Sequence, residues 1–264
     1  MNKFKEFLNN TRYQSRTFFI GNVYKQKLQG VSAKFYFTSF HEMRRLRRLI
    51  EKNGDEFRIF SLFLDDAKDA KIFYDVGANI GQYSIYARNS NPGMTAVYSF
   101  EPESLNFNRL KENILLNGLS HEVHPLKIGL GNQDGEQYFR IKGALAGEGT
   151  HFVSREPTSR KIVIRSIDSL LAEGKIKPAD LVKIDVEGYE YQTLLGMKNF
   201  LQTYRPKIYL ECHPRKLAKL GCSAEQTLDF IKKCGYSDIQ FLNNLGGKKI
   251  GRDEDYYRCA TQGR

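Results

Sequence analysis

An acidic residue and two glycines lie close together in the segment DVGANIGQYS, residues 75–84. Gly77 and Gly81 follow a short apolar run and precede a helical stretch, so their turn would bring backbone N–H groups of a helix N-terminus close to a ligand. Such a turn favours an anion or a carboxylate. The dinucleotide fingerprint needs glycines at positions 77, 79 and 82, where this sequence has Gly77, Asn79 and Gln82. The pattern therefore disfavours an NAD enzyme.

Two acids at strand ends extend this candidate site. Asp75 is placed to accept hydrogen bonds from a cationic group, such as an amino group whose carboxylate binds at the helix end. Glu101 ends the next predicted strand, where an acid can bind both hydroxyls of a ribose through charge-assisted hydrogen bonds. A ligand with a zwitterionic amino-acid moiety and a ribose fits both features. The pair predicts S-adenosylmethionine as the cofactor. Tyr83 and Ser84 either line the cofactor pocket or pack the first helix against the sheet.

A second group of polar residues follows two later strands. Asp185 could stabilise a cofactor's positive charge or orient a nucleophilic hydroxyl. Glu211 and His213 end the next strand, and His213 is the best-placed candidate general base because imidazole titrates near neutral pH. A histidine that merely caps the strand is the structural alternative. Asp185, Glu211 and His213 could also ligate a divalent cation, and the sequence leaves the use of a metal open.

The elements that must position these residues alternate along the chain. Strands are predicted at residues 71–76, 95–100, 123–128, 181–185, 207–211, 238–242 and 256–260. Helices are predicted between them, at about 82–91, 104–117, 189–201 and 223–235, with capping-box spacing at Ser223 and Gln226. This alternation predicts an α/β, Rossmann-like, doubly wound and mostly parallel seven-stranded sheet. In such sheets ligands bind outside the carboxyl ends of the strands, where the strand order switches.

Two regions depart from the alternation. After the third strand, a hairpin-type turn at residues 133–135 and strands at 137–141 and 161–164 predict a β-hairpin insertion over one edge of the sheet. Before the first strand, the capping-box spacing of Ser39 and Glu42 predicts a helix. We therefore expect a basic, partly helical N-terminal extension at residues 1–55 and a catalytic domain at residues 56–264.

The positive charge of the chain is concentrated in the N-terminal region. The 264 residues carry a formal net charge of +11, and residues 1–60 hold 13 basic side chains against five acidic ones. The excess indicates either a solvated helix packed on the domain or a patch for an anionic surface, namely phospholipid or a phosphate-bearing substrate. Nucleic acid is a weaker alternative because no RNA-binding module signature accompanies the charge.

Composition excludes several other classes of protein. A chain with 41% hydrophobic residues and seven prolines is neither a disordered tail nor a collagen-like fibre. No apolar run approaches the roughly 20 residues that span a bilayer, and the first ten residues lack an apolar signal core. We therefore expect a cytoplasmic protein, with peripheral contact at the inner membrane face as an option. The oligomeric state stays open.

Five segments carry a resemblance to a known family. They are FYDVGANIGQYS (73–84), SFEPESLNFNRLKENILLNG (99–118), GLGNQDG (129–135), RSIDSLL (165–171) and VKIDVEGYE (182–190). In order and approximate spacing they resemble the FkbM-type methyltransferases, over about residues 56–213. The resemblance implies a class I S-adenosylmethionine-dependent methyltransferase, usually one that acts on a hydroxyl oxygen of a sugar, glycolipid or secondary metabolite.

The resemblance also implies roles for individual residues. Carried over by position, the cofactor would be held by Asp75, Gly77, Asn79, Gly81 and Glu101, with the turn at 129–132, which begins at Gly129, near adenine. Residues 1–55 and 143–160 match no motif and are expected to shape substrate choice. A small-molecule or glycan acceptor is the first expectation. The alternatives are an RNA or protein methyltransferase that uses the basic N-terminal region, and a non-catalytic domain that binds a partner.

Overall fold

The fold comes from a computed structural model, which describes residues 23–38, 43, 46–47, 55–140, 152–153, 160–243 and 254–262. The strands are β1 (Val23–Leu28), β2 (Val31–Tyr36), β3 (Ile72–Val76), β4 (Ala96–Phe100), β5 (Val123–Leu126), β6 (Gly129–Leu130), β7 (Gly135–Arg140), β8 (Phe152–Val153), β9 (Arg160–Arg165), β10 (Leu181–Ile184), β11 (Lys207–Cys212), β12 (Asp238–Phe241) and β13 (Asp255–Ala260). The helices are α1 (Asp55–Ala67), α2 (Gln82–Ser90), α3 (Ser104–Leu116), α4 (Ile167–Ala172), α5 (Glu190–Leu195), α6 (Lys198–Tyr204), α7 (Pro214–Lys219) and α8 (Ala224–Lys233). The capping box expected at Ser39 and Glu42 lies outside the described residues.

The central sheet has seven strands in the order β12-β13-β11-β10-β3-β4-β5. All neighbouring pairs are parallel except those of β13, which runs antiparallel to both β11 and β12. The order switches between β3 and β10, whose carboxyl ends therefore border a crevice that can bind a ligand. The prediction of a doubly wound, mostly parallel seven-stranded sheet is confirmed.

Both faces of this sheet are covered, which explains why its inner strands are mostly apolar. Successive residues of a strand point to opposite faces, so Phe73 packs with α1, α2 and α3 while Tyr74 packs with the helices from α4 to α8. In β10, Leu181, Val182 and Ile184 are buried in the same alternating way. The charged residue between them, Lys183, is buried as well.

An N-terminal hairpin of β1 and β2 was not predicted from the sequence. The two strands are antiparallel, and Gln29 and Gly30 join them with φ angles of 46° and 86°. The hairpin is fixed to α3 because the Tyr36 backbone N–H donates to Asn113 Oδ1 over 2.8 Å, and Arg109 donates to the Tyr36 carbonyl over 3.0 Å. Its Phe35 is fully buried in the same hydrophobic cluster as α1 and α2.

The region after β5 forms a second, four-stranded sheet in the order β6-β9-β7-β8. Strand β7 is antiparallel to β8 and β9, as the expected insertion requires. The prediction of a hairpin turn at residues 133–135 was wrong, because β6 and β7 lie on opposite sides of β9. Asp134 in this turn instead accepts hydrogen bonds from the Ser166 backbone N–H, over 2.7 Å, and from Arg165 Nε, over 2.9 Å. The turn therefore anchors the end of β9.

Three local expectations need correction. The single helix predicted at 189–201 is two helices, α5 and α6, which are separated at Gly196, where a side chain would meet the Gly131 carbonyl oxygen at 1.9 Å. The helical spacing of the apolar residues in α3 predicts that Leu105 and Leu115 face the core, but they are 47% and 66% exposed. Helix α7 was not expected.

Among the described residues, no helix combines the length and apolarity needed to cross a membrane.

Candidate functional site

The turn after β3 lies between the ends of β4 and β10. The backbone N–H groups of Gly77 and Ala78 both donate to the Phe100 carbonyl over 3.0 Å. Gly77 has a φ of 79°, and a Cβ at this position would lie 1.8 Å from the Asp185 carbonyl oxygen. Only glycine fits such an approach. The sequence-predicted turn is thus brought directly against two neighbouring strand ends.

Helix α2 begins immediately after this turn. Its N-cap residue, Gly81, has a φ of 90°, and the first turn of the helix contains no acidic residue. Asp75 Oδ2 accepts hydrogen bonds from the Ser84 backbone N–H, over 3.0 Å, and from the Ser84 hydroxyl, over 2.6 Å. Ser84 Oγ also lies 2.7 Å from Ser99 Oγ. These contacts hold α2 against the sheet, which is the structural role left open for Ser84.

Glu101 is joined to the glycine turn by a direct hydrogen bond. Its Oε2 accepts from the Asn79 backbone N–H over 2.8 Å, and its Oε1 accepts from the Glu103 backbone N–H over 2.9 Å. The side chain is 5% exposed, and burial raises the pKa of Glu101 to about 7 although both hydrogen bonds lower it. Each carboxylate oxygen keeps a lone pair for a further donor. Gly77 and Glu101 therefore lie on the same side of the molecule.

Lys183 is a site residue that we did not predict. It is 6% exposed, and its Nζ lies 3.1 Å from Asp185 Oδ2, 4.0 Å from Asp75 Oδ1 and 4.8 Å from the centroid of the Tyr83 ring. Burial lowers the pKa of Lys183, but the charges of Asp185 and Asp75 raise it more, so the ammonium is retained. The signal was present in the sequence, since one charged residue interrupts an otherwise apolar strand.

The two aspartates beside Lys183 differ in their environments. Asp75 is fully buried, and burial raises its pKa despite the nearby Lys183. For Asp185, burial also favours the neutral form, but the charges of Lys183 and His213 prevail and its pKa is lowered. Within the described part of the chain, Asp75 Oδ1 and Asp185 Oδ1 are buried and have no hydrogen-bond partner.

Asp185, Glu211 and His213 meet at the ends of β10 and β11, as the sequence predicted. One ligand atom from each residue lies within 4.8 Å of the others, and Glu211 Oε1 is 3.7 Å from His213 Nε2. Burial and the charge of Asp185 raise the pKa of Glu211 well above its usual value. The three residues come from adjacent strands because parallel strands bring their carboxyl ends to one edge.

His213 is held by Glu190, whose contact with it we did not predict. His213 Nδ1 lies 2.7 Å from Glu190 Oε1, which also accepts from the Gly188 backbone N–H over 2.8 Å. Burial lowers the pKa of His213, but the hydrogen bond to Glu190 and the charge of Asp185 raise it more, to about 9. The imidazole therefore holds a proton at neutral pH, and a base role for His213 stays a prediction that requires the loss of that proton.

The turn between β10 and α5 carries backbone strain. Glu187 has a φ of 56° and Gly188 a φ of 103°. A Cβ at Gly188 would lie 2.4 Å from Lys216 Cβ, so α7 packs directly on this turn. Glu187 forms an ion pair with Lys216, and its Oε2 lies 3.5 Å from His213 Nε2. A strained non-glycine residue is typical of functional sites.

The remaining predicted residues lie at the borders of this site. Gly129 is buried in β6, and a Cβ there would lie 2.7 Å from Ile164 Cδ1 and 3.8 Å from Pro102 Cβ, so the strand runs close to the residue after Glu101. Tyr83 packs edge-on against Phe60 at a centroid distance of 4.6 Å. A small cavity borders Lys183 and Glu211, and its other lining residues are Ile59, Tyr83, Tyr209, Leu210, Leu242, Tyr256 and Tyr257.

Comparison with known proteins gives sequence relatives. A family model described as the methyltransferase FkbM domain matches residues 75–237. Hexuronic acid methyltransferase AglP of Haloferax volcanii is 32% identical over 210 residues, which cover 78% of this chain and 82% of that protein. Methyltransferase 1 of Beauveria bassiana is 25% identical over 168 residues, which cover 54% of this chain and 67% of that protein.

Solved structures share the fold at low sequence identity. The crystal structure of methyltransferase FkbM from Methylobacillus flagellatus KT matches with a TM-score of 0.51 and 16% identity, over 72% of this chain and 43% of that longer chain. A SAM dependent methyltransferase from Agrobacterium tumefaciens matches with a TM-score of 0.50 and 13% identity, over 92% of this chain and 71% of that chain. The resemblance drawn from the five sequence segments is confirmed: this chain is a methyltransferase of Rossmann-like fold and belongs to the FkbM family.

Proposed function

We propose that this methyltransferase uses S-adenosylmethionine and methylates a hydroxyl oxygen of a sugar, with a uronic acid as the first candidate. One observation carries the proposal: the Asn79 backbone N–H donates to Glu101 over 2.8 Å. This bond joins the turn suited to an amino-acid carboxylate to the acid suited to a ribose. Both halves of the cofactor would therefore bind in one continuous groove.

The residues present fit this cofactor. The start of α2 at Gly81 offers backbone N–H groups to a carboxylate. Asp75 Oδ1 and Asn79 Oδ1 are buried polar atoms that no described residue satisfies, and they suit an amino group. Glu101 keeps acceptor capacity for ribose hydroxyls. Gly129 and the residues after it would border adenine, because they run beside Pro102.

The cofactor, when bound, supplies a methyl group on a positively charged sulfur that an oxygen nucleophile attacks in line. The chain supplies position and electrostatics. Asp185 would face the positive charge, with Lys183 holding its other oxygen in place. Glu211 and His213, at the end of the adjacent strand, would form hydrogen bonds with the acceptor hydroxyl and fix its line of approach. One of them, in its unprotonated form, would take up the hydroxyl proton as the methyl group is transferred.

The choice of a sugar acceptor rests on one support. The relative with 32% identity is a hexuronic acid methyltransferase, and the match covers 82% of its length. We also propose peripheral contact with an anionic membrane, because the N-terminal hairpin of β1 and β2 exposes the side chains of Lys25, Lys27 and Lys34.

The test is transfer of label from methyl-labelled S-adenosylmethionine to a panel of acceptors. The panel contains a hexuronate oligosaccharide, the matching neutral oligosaccharide, total RNA and denatured protein. We expect label in the hexuronate oligosaccharide as a base-stable methyl ether, and little in RNA or protein. Label in RNA or protein alone would contradict the sugar assignment. Label in the hexuronate that is released by mild base would indicate an ester and contradict methylation of a hydroxyl.

A further inference from the structure

We propose that Asp185, Glu211 and His213 form a binding site for one divalent cation, with Glu190 as the residue that orients His213. The three ligand atoms lie within 4.8 Å of one another. Two ligands that are each ~2.1 Å from an ion lie roughly 3.0 Å apart at right angles and about 4.2 Å apart when opposite. The 3.7 Å between Glu211 Oε1 and His213 Nε2 is within this range, and the 4.8 Å limit on the other two pairs lies close above it, so side-chain rotations without backbone movement would close the site.

The arrangement of His213 is the observation that points to a ligand. The side chain is 2% exposed, and its Nε2 has no hydrogen-bond partner among the described residues. Its Nδ1 is bound by Glu190 Oε1 over 2.7 Å. A histidine that ligates a metal typically donates its other ring N–H to a carboxylate, which fixes the ring and directs the free nitrogen at the ion. Glu190 is in that position.

The two carboxylate oxygens of Asp185 have different environments. Its Oδ2 accepts from Lys183 over 3.1 Å, whereas its Oδ1 is buried and lacks a partner within the described part of the chain. The aspartate can therefore bind an ion without giving up the lysine. An unsatisfied buried oxygen costs free energy, and a cation would remove that cost.

The surrounding charges also favour a cation. Four carboxylates face this space, from Asp185, Glu187, Glu190 and Glu211. Lys183 pairs with Asp185, Lys216 pairs with Glu187, and His213 carries a proton that a metal ion would displace. A divalent ion would then supply the positive charge at the point where the carboxylates converge.

The ligand set indicates the kind of ion. Two carboxylates and one imidazole combine hard oxygen with a nitrogen ligand, which suits Mn²⁺ and also admits Mg²⁺ or Zn²⁺. The site lies at the same sheet edge as the proposed methyl-transfer groove. An ion there would bind the acceptor hydroxyl together with a neighbouring oxygen, such as a uronate carboxylate. That use of the ion rests on the proposed function, whereas the binding of the ion does not.

The test is a titration of the chelator-treated full chain with Mn²⁺, in which electron paramagnetic resonance measures the free ion. We expect one bound Mn²⁺ per chain. Glu211→Gln and Asp185→Asn should each weaken binding at least tenfold, and Glu190→Gln should weaken it by about 10- to 100-fold. Glu112→Gln, on the exposed side of α3, is the matched control and should bind Mn²⁺ as the unmodified chain does.

Two results would overturn the proposal: failure of the unmodified chain to bind Mn²⁺ at millimolar concentration, or undiminished binding in both ligand variants. If the variants do not fold, NMR of the unmodified chain decides, because bound Mn²⁺ must broaden the His213 imidazole signals first. S-adenosylmethionine binding, measured separately by calorimetry, distinguishes the two proposals. Mn²⁺ binding without cofactor binding supports the cation site and contradicts the proposed function, and the reverse result overturns the cation site alone.

Discussion

Replacing Glu101 with glutamine should weaken cofactor binding by a predictable amount. Both carboxylate oxygens accept from backbone N–H groups, those of Asn79 and Glu103. In Glu101→Gln the side chain keeps its shape, but its NH₂ must face one of these two donors, and the charge is lost. Hydrogen bonds to charged groups contribute about 1.5–3 kcal/mol each. Loss of one such bond to a ribose hydroxyl corresponds to roughly 10- to 100-fold weaker binding.

The pH dependence of binding gives an independent check on the same residue. Burial raises the pKa of Glu101 to about 7 in the free protein. If the carboxylate is the binding form, the affinity is complete above this pH and falls as the pH decreases, because a proton must first be removed. One pH unit below the pKa the affinity should be about tenfold below its maximum. Glu101→Gln should remove this slope.

Isothermal titration calorimetry with S-adenosylmethionine at several pH values between 5.5 and 8.5 measures both effects. Glu122→Gln is the control, since Glu122 pairs with Arg88 and precedes β5, at the opposite edge of the sheet. Circular dichroism would establish that each variant is folded. Unchanged affinity in Glu101→Gln, or the same pH slope in the variant and the unmodified chain, would refute the ribose assignment.

Three further substitutions test the framework of the site. Gly77→Ala places a Cβ 1.8 Å from the Asp185 carbonyl oxygen and should lower the melting temperature far more than the control, Gly174→Ala. Gly174 also has a positive φ, but the position of its Cβ is open, so only about 1–2 kcal/mol of backbone strain is expected there. Asp66→Asn should lower the free energy of unfolding by about 1–2 kcal/mol at pH 7. Burial opposes ionisation of Asp66, but Arg258 and other donors lower its pKa to about 2. The difference in unfolding free energy between the variant and the unmodified chain should therefore shrink as the pH falls from about 4 towards 2. Lys183→Met leaves the buried Asp75 and the partly buried Asp185 without their cation and should destabilise the chain by roughly 3 kcal/mol in urea unfolding. A loss below about 0.5 kcal/mol would contradict the ion-pair assignment.

The cofactor side of the site was predictable because its signals are local. A strand, a glycine turn and a helix follow one another within residues 71–90, so this segment is recognisable without any residue that is distant in the chain. Alternation of strands and helices then implies a parallel sheet, which brings Glu101 and Asp185 to the same edge. This inference needs only the order of strands and helices along the chain and the handedness of the connections between parallel strands.

The N-terminal hairpin could not be predicted in the same way. Its turn residues, Gln29 and Gly30, lack the asparagine–glycine pair that marks a two-residue hairpin. Its position depends on Asn113 of α3 and on Asn117, the C-cap residue of that helix, whose side-chain oxygens accept from the backbone N–H groups of Tyr36 and Lys34 across about eighty residues of chain. Long-range contacts of this kind leave no periodic signal in the sequence.

Lys183 is a site residue whose contacts could not be predicted from the sequence. A lysine in an apolar strand is visible in the sequence, and its nearer partner, Asp185, lies two residues away, but its second partner, Asp75, lies more than a hundred residues earlier. Without the lysine, Asp75 and Asp185 would be two neighbouring carboxylates with no cation between them, and a positively charged cofactor bound as proposed would meet their full negative charge. With the lysine between them, the negative charge that a positive cofactor meets is reduced. The charge at this edge of the sheet is thus set by a contact that no single motif contains, and this contact links the two strands between which the order of the sheet switches.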